Sequence, residues 1–329
     1  MNQIVTVILL IIALAVGSQM SPYFLDAGYL LKKTSMEVPI AIMAIALTFV
    51  IIGGHIDLSV ATGTVLVSVI AARSFDELHL PMAMVVVVAL SCGALLGAFN
   101  GLLVVWLRIP SLVATLGTLA LFRGLSKILI EERTIRGFPD WFLGLHQAKL
   151  LGTIPLPVIV MLGLAIIAAI VLRFTTFGRT VIAIGTSEPA ARYSALPTAR
   201  TTMLLFVISG VAMGVAALAN IAQIGSVDYK GLPGGELIAI TAVVLGGTSI
   251  FGGRGSVLGT VLAMFLLVVV RSALGMRNVQ VENQLPIIGT LLIVAVAIAD
   301  LPAKLLARLK ARRRNIEGTG TKPGATIHA

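Results

Sequence analysis

The side chains that most often perform catalysis or bind metals are few in this sequence and lie far apart. The four histidines are His55, His79, His146 and His328, and the single cysteine is Cys92. They do not occur at the short spacings that bring metal ligands or catalytic groups together. No Ser/His/Asp set and no pair of carboxylates can be assembled around them. The sequence therefore predicts a chain that is not an enzyme and binds no metal or other cofactor.

Two acidic residues stand beside apolar runs, where an ionisable group is a candidate for function. Asp57 follows His55 by two positions, which could serve a proton relay, and Glu236 follows a double glycine. Alternatively, Asp57 is an acid at a helix start near the membrane interface, where the positive end of the helix dipole favours it. Asp57, the nearby Ser59 and Glu236 are all candidates for a translocation path.

Four neutral polar residues stand in or at the ends of glycine-rich apolar segments. They are Asn100, Thr115, Asn220 and Gln223. Such amides and hydroxyls could make weak hydrogen bonds to a solute that crosses the membrane. They could equally form hydrogen bonds between helices, which are worth about 0.6 kcal/mol on average. The sequence leaves both roles open.

A charged segment at about residues 173–200 separates two apolar runs, and a short helix is predicted within it. Its residues are Gly185, Thr186 or Ser187 as the cap, Glu188 in the first turn, Pro189, Ala190, Ala191 and Arg192, with Pro197 as the stop. A capped helix on a charged loop is typical of a docking element. A solvated surface helix would show the same pattern.

Composition indicates the elements that position these residues. The chain is 58% hydrophobic and 12% charged, whereas soluble domains have about 45–50% and about 25% respectively. Unbroken apolar runs such as 158–172 lack the alternation of β-barrel strands. A transmembrane helix needs roughly 20 apolar residues. The predicted fold is therefore an all-α, polytopic membrane protein.

Stretches with few or no charges mark about ten candidate transmembrane helices. They cover about 4–19, 38–54, 58–72, 83–105, 110–122 extending to about 130, 153–172, 202–222, 237–251, 256–270 and 285–301. The first is taken as a span because no Lys or Arg precedes it and no small-residue cleavage site follows it. The predicted transmembrane domain is residues 1–303, followed by a basic tail at 304–329.

The net charge of +10 would raise the question of nucleic acid in a soluble protein. Here most of the excess lies beside apolar spans or in the tail, as expected for flanks that set orientation and meet anionic lipid. The 173–200 loop and the tail are therefore predicted to be cytoplasmic. Four spans separate them, so both lie on one side, and with ten spans the N-terminus lies there too.

Glycine spacing predicts how some spans pack and where the chain turns. Small residues four apart, as at Gly93 and Gly97 or at Gly210 and Gly214, let helix backbones approach closely in a membrane. The run at 246–255 lacks the lysine of a phosphate-binding loop and is predicted to be a tight turn. Since no other segment matches that motif, any drive from ATP has to come from a partner.

A short echo suggests an inverted repeat. Gly53-Gly54 precedes Asp57-Leu58 at the start of the third span, and Gly234-Gly235 precedes Glu236-Leu237 at the start of the eighth. Because an odd number of spans separates the two copies, the second would be inverted, as in many transporters.

Several of these segments occur together, and in order, in one known family. The matching segments are Gly53-Gly54-x-x-Asp57-Leu58-Ser59-Val60, Asn100-Gly101, Ile109-Pro110-x-x-Val113-Ala114-Thr115-Leu116-Gly117-Thr118, Arg123-Gly124, the 177–194 loop, Ala242–Ser249 and Gly252-Gly253-x-Gly255-Ser256. From about residue 38 to 300 the chain resembles the permeases of bacterial sugar ABC importers. These include the ribose, xylose, rhamnose and autoinducer-2 types.

The resemblance implies an inner-membrane homodimer or heterodimer of ten-span permeases. Two cytoplasmic ATP-binding subunits would hold ATP and Mg, and a periplasmic sugar-binding protein would deliver rhamnose, autoinducer-2, ribose or a similar small polyol. It also implies that Gly185 to Leu196 is the coupling helix, received by a groove on the ATPase. Ala61 stands where the family often has Gly, and Ala195-Leu196 replaces a common Gly-Ile.

One alternative from another class stays open, a secondary transporter of a small polar solute driven by an ion gradient through Asp57 or Glu236. A capped cytoplasmic helix argues for the ABC permease, because a secondary carrier has no need of it.

Overall fold

The computed structural model describes residues 2–21, 23–150, 152–280 and 283–293. Its helices are α1 (Asn2–Met20), α2 (Ala27–Met36), α3 (Val38–Ile52), α4 (Val60–Asp76), α5 (Met82–Val105), α6 (Ser111–Ile130), α7 (Asp140–Gln147), α8 (Leu156–Phe174), α9 (Thr176–Thr186), α10 (Glu188–Tyr193), α11 (Thr198–Ile224), α12 (Gly235–Leu245), α13 (Val257–Met276) and α14 (Asn283–Ile293). The predicted tail at 304–329 and most of the last predicted span lie outside the described residues.

Four two-residue strands accompany the helices in the described part of the chain. They are β1 (Ile135–Arg136), β2 (Lys149–Leu150), β3 (Ile154–Pro155) and β4 (Ser226–Val227). Strand β1 pairs antiparallel with β4, and β2 pairs antiparallel with β3. The predicted helical class is confirmed, since these strands only tie loops together.

Membrane-spanning length is met by five helices in the described ranges, namely α5, α6, α8, α11 and α13. A sixth span results if α2 and α3, which meet at a bend of 64°, are taken together. The protein is therefore a multi-pass helical membrane protein. Helices α3, α4 and α12 have 15, 17 and 11 residues, so each is shorter than the roughly 20 residues of a full crossing.

Glycines in left-handed conformations explain two of the short helices. Gly54 has φ +82° after the end of α3, and Gly234 has φ +67° at the start of α12, and glycine adopts this region without steric cost. The irregular segments beside them carry the chain into the bundle. The starts of α4 and α12 lie next to each other inside the bundle, since a Cβ on Gly235 would lie 3.3 Å from the Cβ of Ala61.

Helices α5 and α11 pack against each other with their backbones in contact, which is the close packing that the glycine spacing predicted, although the sequence did not identify the two helices as partners. A Cβ on Gly93 would overlap the carbonyl oxygen of Gly210, and a Cβ on Gly97 would overlap that of Phe206. A Cβ on Gly214 would lie 2.8 Å from the carbonyl oxygen of Ala89, which completes the seam. The two helices are antiparallel, because the contacting residue numbers increase along α5 while those of their partners on α11 decrease.

Helix α3 is held against α13 at two heights. The hydroxyls of Thr48 and Thr260 lie 2.8 Å apart in the buried core. Eleven residues away along each helix, a guanidinium nitrogen of Arg271 lies 2.7 Å from both carboxylate oxygens of Glu37. Both partners of this ion pair are mostly buried. The main apolar core surrounds α3 and is completed by α8, α11, α12 and α13.

The bundle has two distinct ends. The α10 end contains α9, α10, the last turn of α3 and the loop between α12 and α13, and the start of α1 lies there because Thr6 donates to the carbonyl of Leu245. The sheet end contains the β1–β4 pair, α7 and an ion cluster of Arg73, Glu77 and Arg133. Hydrogen bonds from Arg73 and then Arg133 lower the pKa of Glu77.

Candidate functional site

Two short helices form the 173–200 loop. The hydroxyl of Thr175 accepts a hydrogen bond from the backbone N–H of Gly178 and caps the start of α9. The hydroxyl of Ser187 accepts one from the backbone N–H of Ala190 and caps the start of α10. Of the two predicted caps, Ser187 is therefore the one used. Thr186 belongs to α9 and donates to the carbonyl of Ile182.

The predicted helix over 185–197 is shorter than expected. Gly185 belongs to α9, and α10 ends at Tyr193 because Ala195 takes a left-handed conformation with φ +57°. The N–H of Leu196 then bonds the carbonyl of Ala191 at 3.1 Å, which closes the helix end before Pro197 is reached. Ala195 occupies a position where glycine is the usual residue.

Helix α10 presents its charged side chains to the outside. Glu188 and Arg192 form an ion pair of 2.9 Å on one exposed face, and Ala190 is exposed beside them. Tyr193 at the end of the helix is 92% exposed. Only Ala191 points inward and is buried. The helix is thus anchored by one small side chain, and the rest of its surface is exposed.

A cavity of about 490 Å³ lies beside α10. Its lining includes Gly54, His55, Arg108, Ser111, Glu188 and Thr202. The imidazole of His55 lies 3.3 Å from the hydroxyl of Thr202 and packs on the ring of Phe206. His55 therefore contacts α11, and its ring makes no hydrogen bond to Asp57 in the described structure.

Three glycine-containing segments meet at the base of α10, and we call them the glycine junction. They are Ile52–Gly54 at the end of α3, Gly185–Thr186 at the end of α9, and Gly252–Gly253 in the α12–α13 loop. The N–H of Gly253 donates to the carbonyl of Ile52 at 2.8 Å. A Cβ on Gly185 would overlap that same carbonyl oxygen, so the three backbones are in direct contact.

Asp57 is fully buried in the break between α3 and α4. One of its carboxylate oxygens accepts from the N–H of Ser59 at 3.0 Å and from its hydroxyl at 2.7 Å. The other oxygen accepts from the hydroxyl of Ser209 on α11 at 2.8 Å. The side-chain amide of Asn100 on α5 donates to the Ser59 hydroxyl at 2.8 Å. This Asp57 network joins α4, α5 and α11.

Helix α6 holds the same break from another side. The hydroxyl of Thr115 donates to the carbonyl of Ile56 at 3.1 Å, and the N–H of Ile56 donates to the hydroxyl of Ser111 at 3.2 Å. These bonds satisfy backbone groups that the interrupted helix leaves free, as a membrane interior requires. Thr115 therefore lies next to the Asp57 network and supports its backbone.

The sequence as a whole matches a known family of membrane proteins. Residues 29–296 fit the family described as the permease component of the branched-chain amino acid transport system. This match covers most of the chain, including the short helices α3, α4 and α12 as well as α10. The chain belongs to this permease family.

Curated relatives resemble the permease over most of its length. The autoinducer 2 import system permease protein LsrD of Photorhabdus laumondii is 36% identical over 294 residues, which cover 88% of each chain. LsrD of Yersinia enterocolitica is 35% identical over 315 residues, and these cover 93% of the permease and 95% of the relative. No solved structure matches the permease.

The permease brings together only some of the residues predicted for a path. Asp57, Ser59, Asn100 and Thr115 are neighbours, and the sequence prediction missed their partner Ser209. Ser209 directly precedes Gly210 of the α5–α11 seam. This position beside a packing glycine is the only feature of the sequence that could have identified Ser209 as a functional candidate. The side-chain amide oxygen of Asn100 is buried without a hydrogen-bond partner in the described structure.

The other predicted path residues lie elsewhere in the permease. Asn220 follows Ser209 by eleven positions on α11, which is roughly 16 Å along a helix, and it is buried. Gln223 lies one turn further, with its amide oxygen buried and without a partner in the described ranges. Glu236 lies half-buried in the first turn of α12. Within the described residues, none of these three side chains forms a hydrogen bond with the Asp57 network.

Proposed function

We propose that this permease is the transmembrane subunit of an ATP-driven importer of a monosaccharide or related small polyol. The observation that carries the proposal is α10, a capped helix whose charged face is exposed at the end of the bundle. The names of the relatives support an import system, and their autoinducer 2 cargo favours the autoinducer-2, rhamnose or ribose types.

The proposed complex contains two ATP-binding subunits, a periplasmic sugar-binding protein and a second permease, identical or related. ATP and Mg belong to the ATP-binding subunits, and this chain supplies neither catalysis nor a cofactor site. We place the complex in the inner membrane, with ten spans and both termini cytoplasmic. The contact of Thr6 with Leu245 supports this orientation, because it sets the start of α1 at the α10 end.

An inverted repeat is part of the same proposal. Helices α4 and α12 begin beside each other inside the bundle, and α4 leads toward the sheet end while α12 leads toward the α10 end. Interrupted helices that meet in this way are typical of transporters built from inverted repeats. They favour a path near the meeting point, with the Asp57 network on one side of it.

In the proposed mechanism, ATP-driven closure of the ATP-binding subunits moves α10. Packed helices have discrete arrangements, so this movement switches the bundle between outward-facing and inward-facing states. Hydroxyl and amide groups such as those of Ser59, Asn100 and Thr115 would meet the cargo briefly. Asn220, Gln223 and Glu236 lie toward the sheet end, where cargo would enter from the binding protein.

The test is reconstitution of the permease with its co-expressed ATP-binding subunits and binding protein in proteoliposomes. Uptake of labelled ribose, rhamnose and autoinducer 2 is measured with ATP inside or outside the vesicles. We expect uptake of one of them only when ATP reaches the ATP-binding subunits. Equal uptake by the permease alone would contradict the proposal.

The secondary-transporter alternative rests on Asp57, and Asp57→Asn tests it. We expect this variant to remain ATP-dependent and insensitive to uncouplers, because both Asp57 oxygens are engaged with Ser59 and Ser209. Uptake is measured in the same vesicles with and without a proton uncoupler. Ser68→Ala serves as a control, since Ser68 is buried like Asp57 but lies in α4 and bonds only within that helix. Loss of an uncoupler-sensitive uptake on Asp57→Asn would favour the alternative.

A further inference from the structure

We propose that the glycine junction transmits the movement of α10 to the ends of α3 and α12, which makes Gly185 and Gly253 positioning residues for transport. The inference rests on the proposed function, because it assigns α10 the contact with the ATP-binding subunits. It adds an internal route from that contact to the Asp57 network and to α12. The sequence assigned the 246–255 run only the role of a turn.

The first step of the route is the contact of α9 with α3. Gly185 lies one residue from Thr186, the last residue of α9, and Ser187 then caps α10. The place of its missing side chain is filled by the carbonyl oxygen of Ile52, and the N–H of Gly253 lies 2.5 Å from the Cβ position. No flexible side chain separates these backbones, so displacement of Gly185 displaces its neighbours.

The second step is the stiffness of the α12–α13 loop. Within this loop the N–H of Ser249 donates to the carbonyl of Arg254 at 2.9 Å. The N–H of Gly252 donates to the carbonyl of Ser249 at 3.0 Å. Gly252 and Gly253 both have positive φ, and a Cβ on Gly253 would meet Thr186. The loop is therefore a closed unit seated on α9.

The third step leads from the junction into the bundle on two sides. Along the chain, Ile52 is five residues from Asp57, and the N–H of His55 bonds the carbonyl of Val50. On the other side, a Cβ on Gly246 at the end of α12 would overlap the backbone of Gly259 on α13. One displacement at α10 thus reaches the ends of α3 and α12 together.

The activity test uses Gly185→Ala in the full complex in proteoliposomes. We expect ATP hydrolysis to persist while import per ATP falls about tenfold, within the usual range of coupling between sites. Gly124→Ala is the matched control, because Gly124 is also helical but has no atom within 4 Å of a Cβ. Unchanged import per ATP in a folded Gly185→Ala complex would overturn the proposal.

A distance measurement decides the matter even if Gly185→Ala fails to fold. Spin labels replace exposed Ile182 on α9 and Phe251 in the α12–α13 loop, with Trp141 on α7 as the reference and Cys92→Ala as the background. Between nucleotide-free and ATP-trapped complexes, we expect the Ile182–Phe251 distance to stay constant while the Ile182–Trp141 distance changes. A changing Ile182–Phe251 distance, or a constant Ile182–Trp141 distance, would overturn the proposal.

The two hypotheses fail in different ways. If the unaltered permease neither binds ATP-binding subunits nor imports solute, the proposed function is wrong. If it does both, and the labels on α9 and on the α12–α13 loop move independently, only the transmission route is wrong.

Discussion

Glu188→Arg is expected to abolish import and the coupling of ATP hydrolysis while the protein still inserts and folds. Glu188 and Arg192 share the exposed face of α10, and an exposed pair of this kind contributes only about 0.5 kcal/mol to its helix. Loss of the pair alone would therefore change little. A reversed charge inside an interface costs several kcal/mol, and we expect binding of the ATP-binding subunits to weaken at least about 100-fold.

The double variant Glu188→Arg/Arg192→Glu separates docking from helix stability. It restores an ion pair within α10 but leaves the charge order reversed, so we expect it to remain inactive. Arg200→Glu is the control for charge alone, because Arg200 is exposed at the same end without lining the cavity beside α10. Binding is measured by co-purification of the co-expressed ATP-binding subunits, and normal uptake by Glu188→Arg would contradict the docking role.

Gly97→Ala is expected to lower the stability of the folded permease strongly. A Cβ at Gly97 would overlap the carbonyl oxygen of Phe206 and lie 2.9 Å from the backbone of Gly210, so α5 and α11 have to separate. Forced overpacking of this kind costs about 3 kcal/mol. We expect the temperature of unfolding in detergent to fall by about 5 °C or more.

The control for this prediction is Gly163→Ala in α8, where a Cβ would meet no atom within 4 Å. Alanine favours a helix over glycine by about 1 kcal/mol, so Gly163→Ala should be neutral or stabilising. If the two variants unfold at the same temperature, the α5–α11 seam does not depend on close backbone contact.

Local signals in the sequence were sufficient to predict the helical class, the glycine faces of α5 and α11 that allow close packing, and the capped helix in the 173–200 loop, but not that α5 and α11 pack against each other. Each of these depends on residues that are neighbours along one helix or one turn. The α10 boundaries were less accurate, because the left-handed conformation of Ala195 is costly for a residue other than glycine and has no signature of its own.

Long-range features were beyond the sequence. Charge-free runs indicate burial, but they do not tell whether a helix crosses the bilayer in one piece, so α3, α4 and α12 were predicted as ordinary spans. Ser209 was missed because its partner Asp57 is 152 residues away. The contact of Gly253 with Ile52 joins loops whose separate patterns indicate only turns.

The two bonds between α3 and α13 restrict how this part of the protein is able to move. The Thr48–Thr260 and Glu37–Arg271 contacts lie roughly 16 Å apart along the helices. A piston-like slide of α3 along α13 would break both contacts at once, whereas a tilt of the two helices as one body keeps them. We therefore expect α3 and α13 to move as one rigid body, and in the proposed transmission route the movement of α10 enters this body at Ile52.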